Sequence, residues 1–362
     1  MAAWKKCLLG DVVNLKRGYD LPHSARSPGP FPVVSSSGIT DHHSEAKVKG
    51  PGVVTGRYGT LGQVFFIESD YWPLNTSLYV QDFKGNDPRF IAYFLGTLNF
   101  GAQNAAGAVP GVNRNHLHAI EVCVPSLPIQ QRIAGILSAY DELIENSQRR
   151  IRILESMAGA LYREWFVHFR FPGHEEQPRV TSPLGEIPQG WEVKRFGDMV
   201  ELKYGKALKK EDRRDGDYPV FGSSGIVGSH DAAFVKGPGI IVGRKGNVGS
   251  VFWCDEDFFV IDTAFFVTSS LPLRFLFYVL PTLNFINSDA AVPGLSRNQA
   301  YTLEIFVPPD ALLQKFCELA GTFERQAATL QRQIQNLRRT RDLLLPRLLS
   351  GQLDVAALET AA

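Results

Sequence analysis

A chain of 362 residues, 44% apolar and 21% charged, holds enough material for two ordinary domains and too much apolar content for large-scale disorder. The formal charge of +1 excludes attraction to a polyanion by the field of the whole molecule, so any such surface has to be a local basic patch. The four cysteines, Cys7, Cys123, Cys254 and Cys317, form no C-x-x-C pair, which argues against a compact zinc site and a secreted disulfide framework.

Along the chain, short apolar runs punctuated by Gly and Pro predict strands at 52–55, 63–67 and 74–81, followed by a short helix at 90–98 and a last strand at 119–124. Pro125 stops that strand, closing a mixed α and β globule. Apolar residues then fall seven apart in two rows, with Ile133, Tyr140 and Leu154 on one and Leu137, Ile144, Ile151 and Ala158 on the other, interrupted by Ser147. Rows of that period form one seam of a long helix that needs a partner helix. Pro172, Pro178, Pro183 and Pro188 mark the next stretch as a linker without periodicity.

The chain then repeats itself. Pro32-Val33, Ser36-Ser37-Gly38-Ile39, Lys49-Gly50-Pro51-Gly52 and Gly56-Arg57 recur 187 residues later as Pro219-Val220, Ser223-Ser224-Gly225-Ile226, Lys236-Gly237-Pro238-Gly239 and Gly243-Arg244. Thr97-Leu98-Asn99-Phe100 recurs at an offset of 185, and Val109-Pro110-Gly111 with Arg114-Asn115 at 183, so the second copy carries two short deletions. Strands are expected at 239–242, 250–253, 260–268 and 303–307, and a helix at 274–283. The closing seam of Phe316, Phe323, Leu330, Leu337 and Leu344 beside Ala320, Ala327, Ile334 and Leu348 is interrupted by Arg341. About 35 helical residues make each rod roughly 50 Å long, and the other copy's rod is the obvious partner.

The expected fold is therefore α+β: two similar mixed α/β domains, each followed by a long helix, with the helices paired as an antiparallel coiled coil of pseudo-two-fold symmetry. The expected divisions are a first globule at 1–128, a central helix at 129–170, a linker at 171–189, a second globule at 190–310, a C-terminal helix at 311–350 and a tail at 351–362. Leu137, Ile144, Ile151, Leu154, Phe323, Leu330, Ile334 and Leu337 are expected in the helix-pair core.

Pro128-Ile129-Gln130-Gln131-Arg132-Ile133, Leu161-Tyr162-Arg163-Glu164-Trp165-Phe166, Pro183-Leu184-Gly185-Glu186-Ile187-Pro188-Gln189-Gly190-Trp191 and Leu348-Leu349-Ser350-Gly351-Gln352-Leu353 resemble signature stretches of type I restriction-modification specificity subunits, the HsdS family. The resemblance covers essentially the whole chain. It implies two target-recognition domains reading a bipartite double-stranded DNA site, with helices that dock two methylase subunits, and restriction subunits joining that core. Met1 to Gly10 has no apolar core of signal-peptide length and the apolar stretch 271–286 is broken by Arg274 and two prolines, so a cytoplasmic protein without membrane contact is expected. Lys315 and Phe316 stand where the first copy has Arg132 and Ile133, a drift within the motif.

No catalytic tetrapeptide of an amino-methyltransferase, Gly-rich cofactor turn or phosphate-cradling loop occurs. Binding without catalysis is expected, with no cofactor in this chain; partner subunits would use S-adenosylmethionine, ATP and Mg. The first candidates for DNA contact are Arg57 and Tyr58, matched by Arg244 and Lys245, in glycine-bounded loops where an arginine can fork onto guanine or phosphate. Ser36 and Ser37, with Ser223 and Ser224, offer donors for phosphates. Asn113 and Arg114, with Arg297 and Asn298, suit base edges, and Lys16, Arg17, Lys203 and Lys206 suit the backbone. The same residues also suit ordinary turns and solvated faces, and a coiled-coil scaffold without sequence readout is the competing function. His42-His43 invites a metal, but only His43 has an aligned partner, His230.

Overall fold

The computed structural model describes residues 4–98, 100, 111–285 and 294–355. Asn99, Val109, Pro110, Val292 and Pro293 of the repeated motifs, and the tail beyond 355, lie outside the described residues. The chain forms two compact units, one of Met1–Gln148 with Arg332–Ala362 and the other of Arg149–Gln331. Each unit therefore contains one globule, one end of its own long helix and one end of the other copy's helix.

In the first unit, strand β1 (Lys5–Leu8) leads through the single turn α1 (Leu9–Val12) into β2 (Asn14–Arg17), the hairpin β3 (Phe31–Ser35) and β4 (Gly38–His43), then β5 (Gly52–Gly56) and β6 (Val64–Ile67). The short β7 (Trp72–Pro73) and then β8 (Ser77–Asp82) precede helix α2 (Pro88–Thr97), the short helix α3 (Arg114–His118), β9 (Glu121–Val124) and the long helix α4 (Leu127–Tyr162). The sheet order β2-β8-β5-β6 puts β5 between two neighbours, which is why its sequence, GVVTG, is buried at every position and lacks the alternation of a half-exposed strand. A second sheet, β4-β3-β7, and the pair β1-β9 complete the head.

The strand expected at 74–81 is a turn followed by β8, because the chain doubles back there: the Thr76 carbonyl accepts from the backbone amides of Arg57 and Tyr58 at 2.9 and 3.2 Å. Asp87 caps α2 by accepting from the Phe90 amide at 2.8 Å, with Pro88 at its first position, and the helix buries Phe90, Ile91, Phe94 and Leu95.

The second unit adds one hairpin, β10 (Arg179–Ser182) with β11 (Gly185–Pro188), inside the stretch expected to be an aperiodic linker. Its head runs β12 (Glu192–Arg195), α5 (Phe196–Met199), β13 (Val200–Tyr204), β14 (Tyr218–Gly222), β15 (Gly225–His230), β16 (Gly239–Gly243) and β17 (Val251–Cys254). There follow β18 (Phe259–Val260), β19 (Ala264–Ser269), α6 (Leu273–Val279), α7 (Arg297–Thr302), β20 (Glu304–Val307) and the long helix α8 (Asp310–Leu349). The sheets β13-β19-β16-β17, β15-β14-β18 and β12-β20 reproduce the first head strand for strand.

The long helices run antiparallel. Within the second unit, the ring of Tyr162, at the end of α4, lies 6.3 Å from that of Phe316, near the start of α8, while Leu154 and Ala158 face Phe323 and Ala327. Of the expected seam residues Leu137, Ile144, Leu330 and Ile334 are buried, whereas Ile151, Leu154, Phe323 and Leu337 are half-buried. Trp165 and Phe166, in a π turn at Arg163–Val167, join the second head's core with Phe275 and Phe316. Ile133 and Leu137 join the first head's core together with Leu348 and Leu349.

Candidate nucleic-acid interface

The loop after β5 is shaped by its glycines. A Cβ on Gly56 would stand 1.7 Å from the Thr60 carbonyl oxygen, and one on Gly243 would stand 2.0 Å from that of Asn247. Gly59 and Gly246 have φ of +79° and +80°, a region that side chains with a Cβ avoid. These constraints force each loop to fold back, leaving Arg57 and Tyr58, or Arg244 and Lys245, at its crest. The serine turns lie beside the loops: a Cβ on Gly59 or Gly246 would come within 3.8 and 3.5 Å of the Ser36 and Ser223 hydroxyls.

From the other side comes the segment before the last strand. Tyr58 bridges Gly111 and Lys245 bridges Gly294, with the Val112 and Leu295 amides donating to the Arg57 and Arg244 carbonyls at 3.0 and 2.8 Å. Helices α3 and α7 begin directly after these bridges. Asn113 caps α3 by accepting from the Asn115 amide at 2.9 Å, and Ser296 caps α7 by accepting from the Gln299 amide at 3.3 Å. The caps place Arg114 and Arg297 at the first helical position, with Asn115 and Asn298 one residue further on.

In the first head, Arg17, Arg57, Tyr58, Asn113 and Arg114 line one open concavity of about 380 Å³. Three strand or helix ends thus bring three guanidinium groups and an aromatic ring together. The Arg57 guanidinium lies 4.6 Å from the Tyr58 ring centre, and Arg17 forks onto Asp20 at 3.0 and 3.3 Å. In the second head Tyr204 stands at the position of Arg17, and its ring carries the guanidinium groups of Arg244 and Arg297, each 4.9 Å from its centre. Arg244 is further fixed by donating to the Asp262 carbonyl at 2.8 Å. Both sites are cationic and aromatic, a combination suited to phosphates and base edges.

Other expected residues do not converge. Lys16 and Lys203 occupy the opposite face of their strands from Arg17 and Tyr204, and Lys203 pairs with Glu201 at 3.4 Å. Lys206 lies over the Phe234 ring at 4.1 Å. Ser37 is engaged in its own turn with Ser35 at 3.0 Å, and Ser224 accepts from Asn247 at 3.2 Å. His43 and His230 are buried and hydrogen bonded to the backbone at Ser27 and Arg214, which explains their recurrence without a metal.

Ile39 and Ile226 are not among the expected contact residues. They occupy the same place after the serine turn in each head and are 55% and 65% exposed. The repeated Ser-Ser-Gly-Ile was the available signal, since a core residue would have been expected there instead.

Both copies match a family model, that of the type I restriction modification DNA specificity domain, over residues 1–156 and 188–336. The chain belongs to the type I restriction-modification DNA specificity family. A specificity subunit of the MjaIX type I restriction enzyme from Methanocaldococcus jannaschii is 26% identical across 69% of this chain, and the chain spans 64% of that relative's length. The HindI specificity subunit of Haemophilus influenzae is 23% identical, covering 70% of this chain and 73% of the relative. A type I restriction-modification S subunit from M. genitalium, solved by crystallography, is 17% identical and shares the fold with a TM-score of 0.66 over 96% of both chains. The specificity family is a non-catalytic one within type I systems. No helix among the described residues is long and apolar enough to cross a membrane.

Proposed function

We propose that this specificity chain reads a bipartite double-stranded DNA target in the cytoplasm, one half-site per head, on behalf of methylase and restriction subunits. The observation that carries the reading is the matched cluster of arginines and an aromatic ring at one place in each head, Arg17, Arg57, Tyr58 and Arg114 in one and Tyr204, Arg244 and Arg297 in the other. Ser36 stands beside the first loop as a phosphate donor, whereas Ser223 is buried, and the exposed Ile39 and Ile226 that follow each serine turn are assigned as apolar contacts for thymine methyl groups. Methylase docking is assigned to the long helices, where Leu143, Ile153, Met157, Leu319 and Leu343 expose apolar side chains. These side chains are of the size that an interface core employs.

The test is to purify the chain with its methylase subunit and sequence the DNA that the complex methylates. A split motif around unspecified bases is expected. Methylation without sequence preference would leave a scaffold without readout as the function. Because 19 of the 35 positions from Pro32 to Phe66 are identical in the second copy, the half-sites are expected to be related as a partial palindrome. Half-sites without inverted resemblance would refute that part alone.

A further inference from the structure

The two units treat one equivalent place differently. In the first, Asp141 of α4 accepts a hydrogen bond from the Tyr93 hydroxyl at 2.5 Å and another from the Arg341 guanidinium of α8, also at 2.5 Å. In the second, Glu324 stands at the position of Asp141 and accepts from the hydroxyl of Tyr278, the counterpart of Tyr93, at 2.9 Å. The counterpart of Arg341, however, is Ala158, and that of Ile144 is Ala327. Two large side chains are thus replaced by two methyl groups.

The result is a cavity of about 370 Å³ in the second unit. Its aromatic walls are Trp253, Phe277, Tyr278 and Phe323. The ionisable groups at its edge other than the tyrosine are the carboxylates of Glu155, Asp255 and Glu324, with no lysine or arginine among the residues that line it. Arg274, behind the wall, engages Glu324 through Nε at 2.5 Å and lies 5.4 Å from the Trp253 ring centre. Arg325, whose guanidinium meets that of Arg274 beside Gly321, is a second neighbouring cation, and two cations leave one of the three carboxylates unbalanced. Aromatic faces and surplus negative charge favour a cation, and flat walls favour a planar one.

We propose that this cavity takes a guanidinium group, an arginine side chain presented by a partner protein, in the place that Arg341 fills from within the chain in the other unit. The inference concerns a surface away from the arginine clusters and holds whether or not the heads read DNA.

Ligand-observed saturation-transfer NMR on the full chain tests it, with ethylguanidinium, neutral ethylurea and butylammonium as probes. Ethylguanidinium is expected to bind saturably and at least about tenfold more tightly than ethylurea, the factor that one desolvated cation-to-ring contact supplies. Ala158→Arg and Ala327→Ile restore the first unit's occupants, and either variant that folds is expected to abolish the signal. Absence of saturable binding, equal binding of ethylurea or butylammonium, or a response unchanged in Ala327→Ile overturns the assignment.

Discussion

Arg57 and Arg244 are held from behind by backbone hydrogen bonds and from the side by an aromatic ring, so each presents a guanidinium whose orientation is largely fixed in the free protein. Replacing Arg57 with alanine is expected to cost about 1–3 kcal/mol of binding and to relax one position of one half-site. Arg244→Ala should do the same in the other, as read from the methylated motif of the complex. Tyr58→Lys, which copies Lys245, should shift preference in the first half-site only; equal weakening of both would make Tyr58 a structural residue. A different residue exchange, His118 for Tyr301, is expected to contribute to acid sensitivity in the first head alone. His118 accepts from the Leu15 amide through Nε2 at 3.0 Å, and in the second head the hydroxyl of Tyr301 accepts from the Leu202 amide at 2.9 Å. Burial, helped by Arg114 and Lys84, holds the His118 pKa below the usual imidazole range. The unfolded chain therefore binds this proton first, so the stability due to a neutral His118 is complete above about pH 6.5 and falls as pH drops through that value toward the folded pKa. His118→Tyr should flatten the fall in the first head's melting temperature between pH 8 and pH 5, and an unchanged slope would sink the idea.

At the scale of elements, the short helices α3 and α7 matter as platforms for Arg114 and Arg297. Asn113→Ala should destabilise the first head by about 1 kcal/mol through loss of the cap, measured by denaturant unfolding. Asn113→Ser keeps a cap, as Ser296 does in the second head, and should leave the methylated motif unchanged; an altered motif would instead give the Asn113 amide a base contact. Much of this element structure is legible in the sequence. The repeat locates the glycine loops because a backbone that doubles back tolerates little but glycine, and the seven-residue rows locate both long helices. Arg57, Arg114 and Arg17 of the site are candidates in the sequence, but which of the basic residues reach the loops is not legible there, because strand pairing between segments far apart in the chain brings in Arg17 and Tyr204 and turns Lys16 and Lys203 away. The hairpin at 179–188 is hidden because its prolines and charged residues read as linker, although Gly185 at φ +106° makes its turn. The seam is diluted for a related reason. Ile133, Leu137, Tyr162 and Trp165 obey the helical period but pack into head cores, so periodicity alone does not separate the coiled-coil surface from the docking surface of each head.

For the whole molecule, the division into units decides how a local change spreads. The first head's core includes Leu348 and Leu349 from the far end of the chain, whereas the second is built from the single stretch Arg149–Gln331. Leu348→Ala should therefore cost roughly 2–5 kcal/mol and appear in hydrogen exchange as lost protection at α2 and β9, with β16 and β19 retaining theirs. Equal loss in both units would mean that they unfold as one. The same arrangement also acts in time. A nascent chain completes the stretch Arg149–Gln331 before α8 is finished, while the first head's core waits for Leu348 and Leu349, made roughly 200 residues after Ile133 and Leu137 or ~10–40 s later at typical synthesis rates. During that interval the part of the first head's core that Leu348 and Leu349 complete stays unfilled, so the first unit matures after the second.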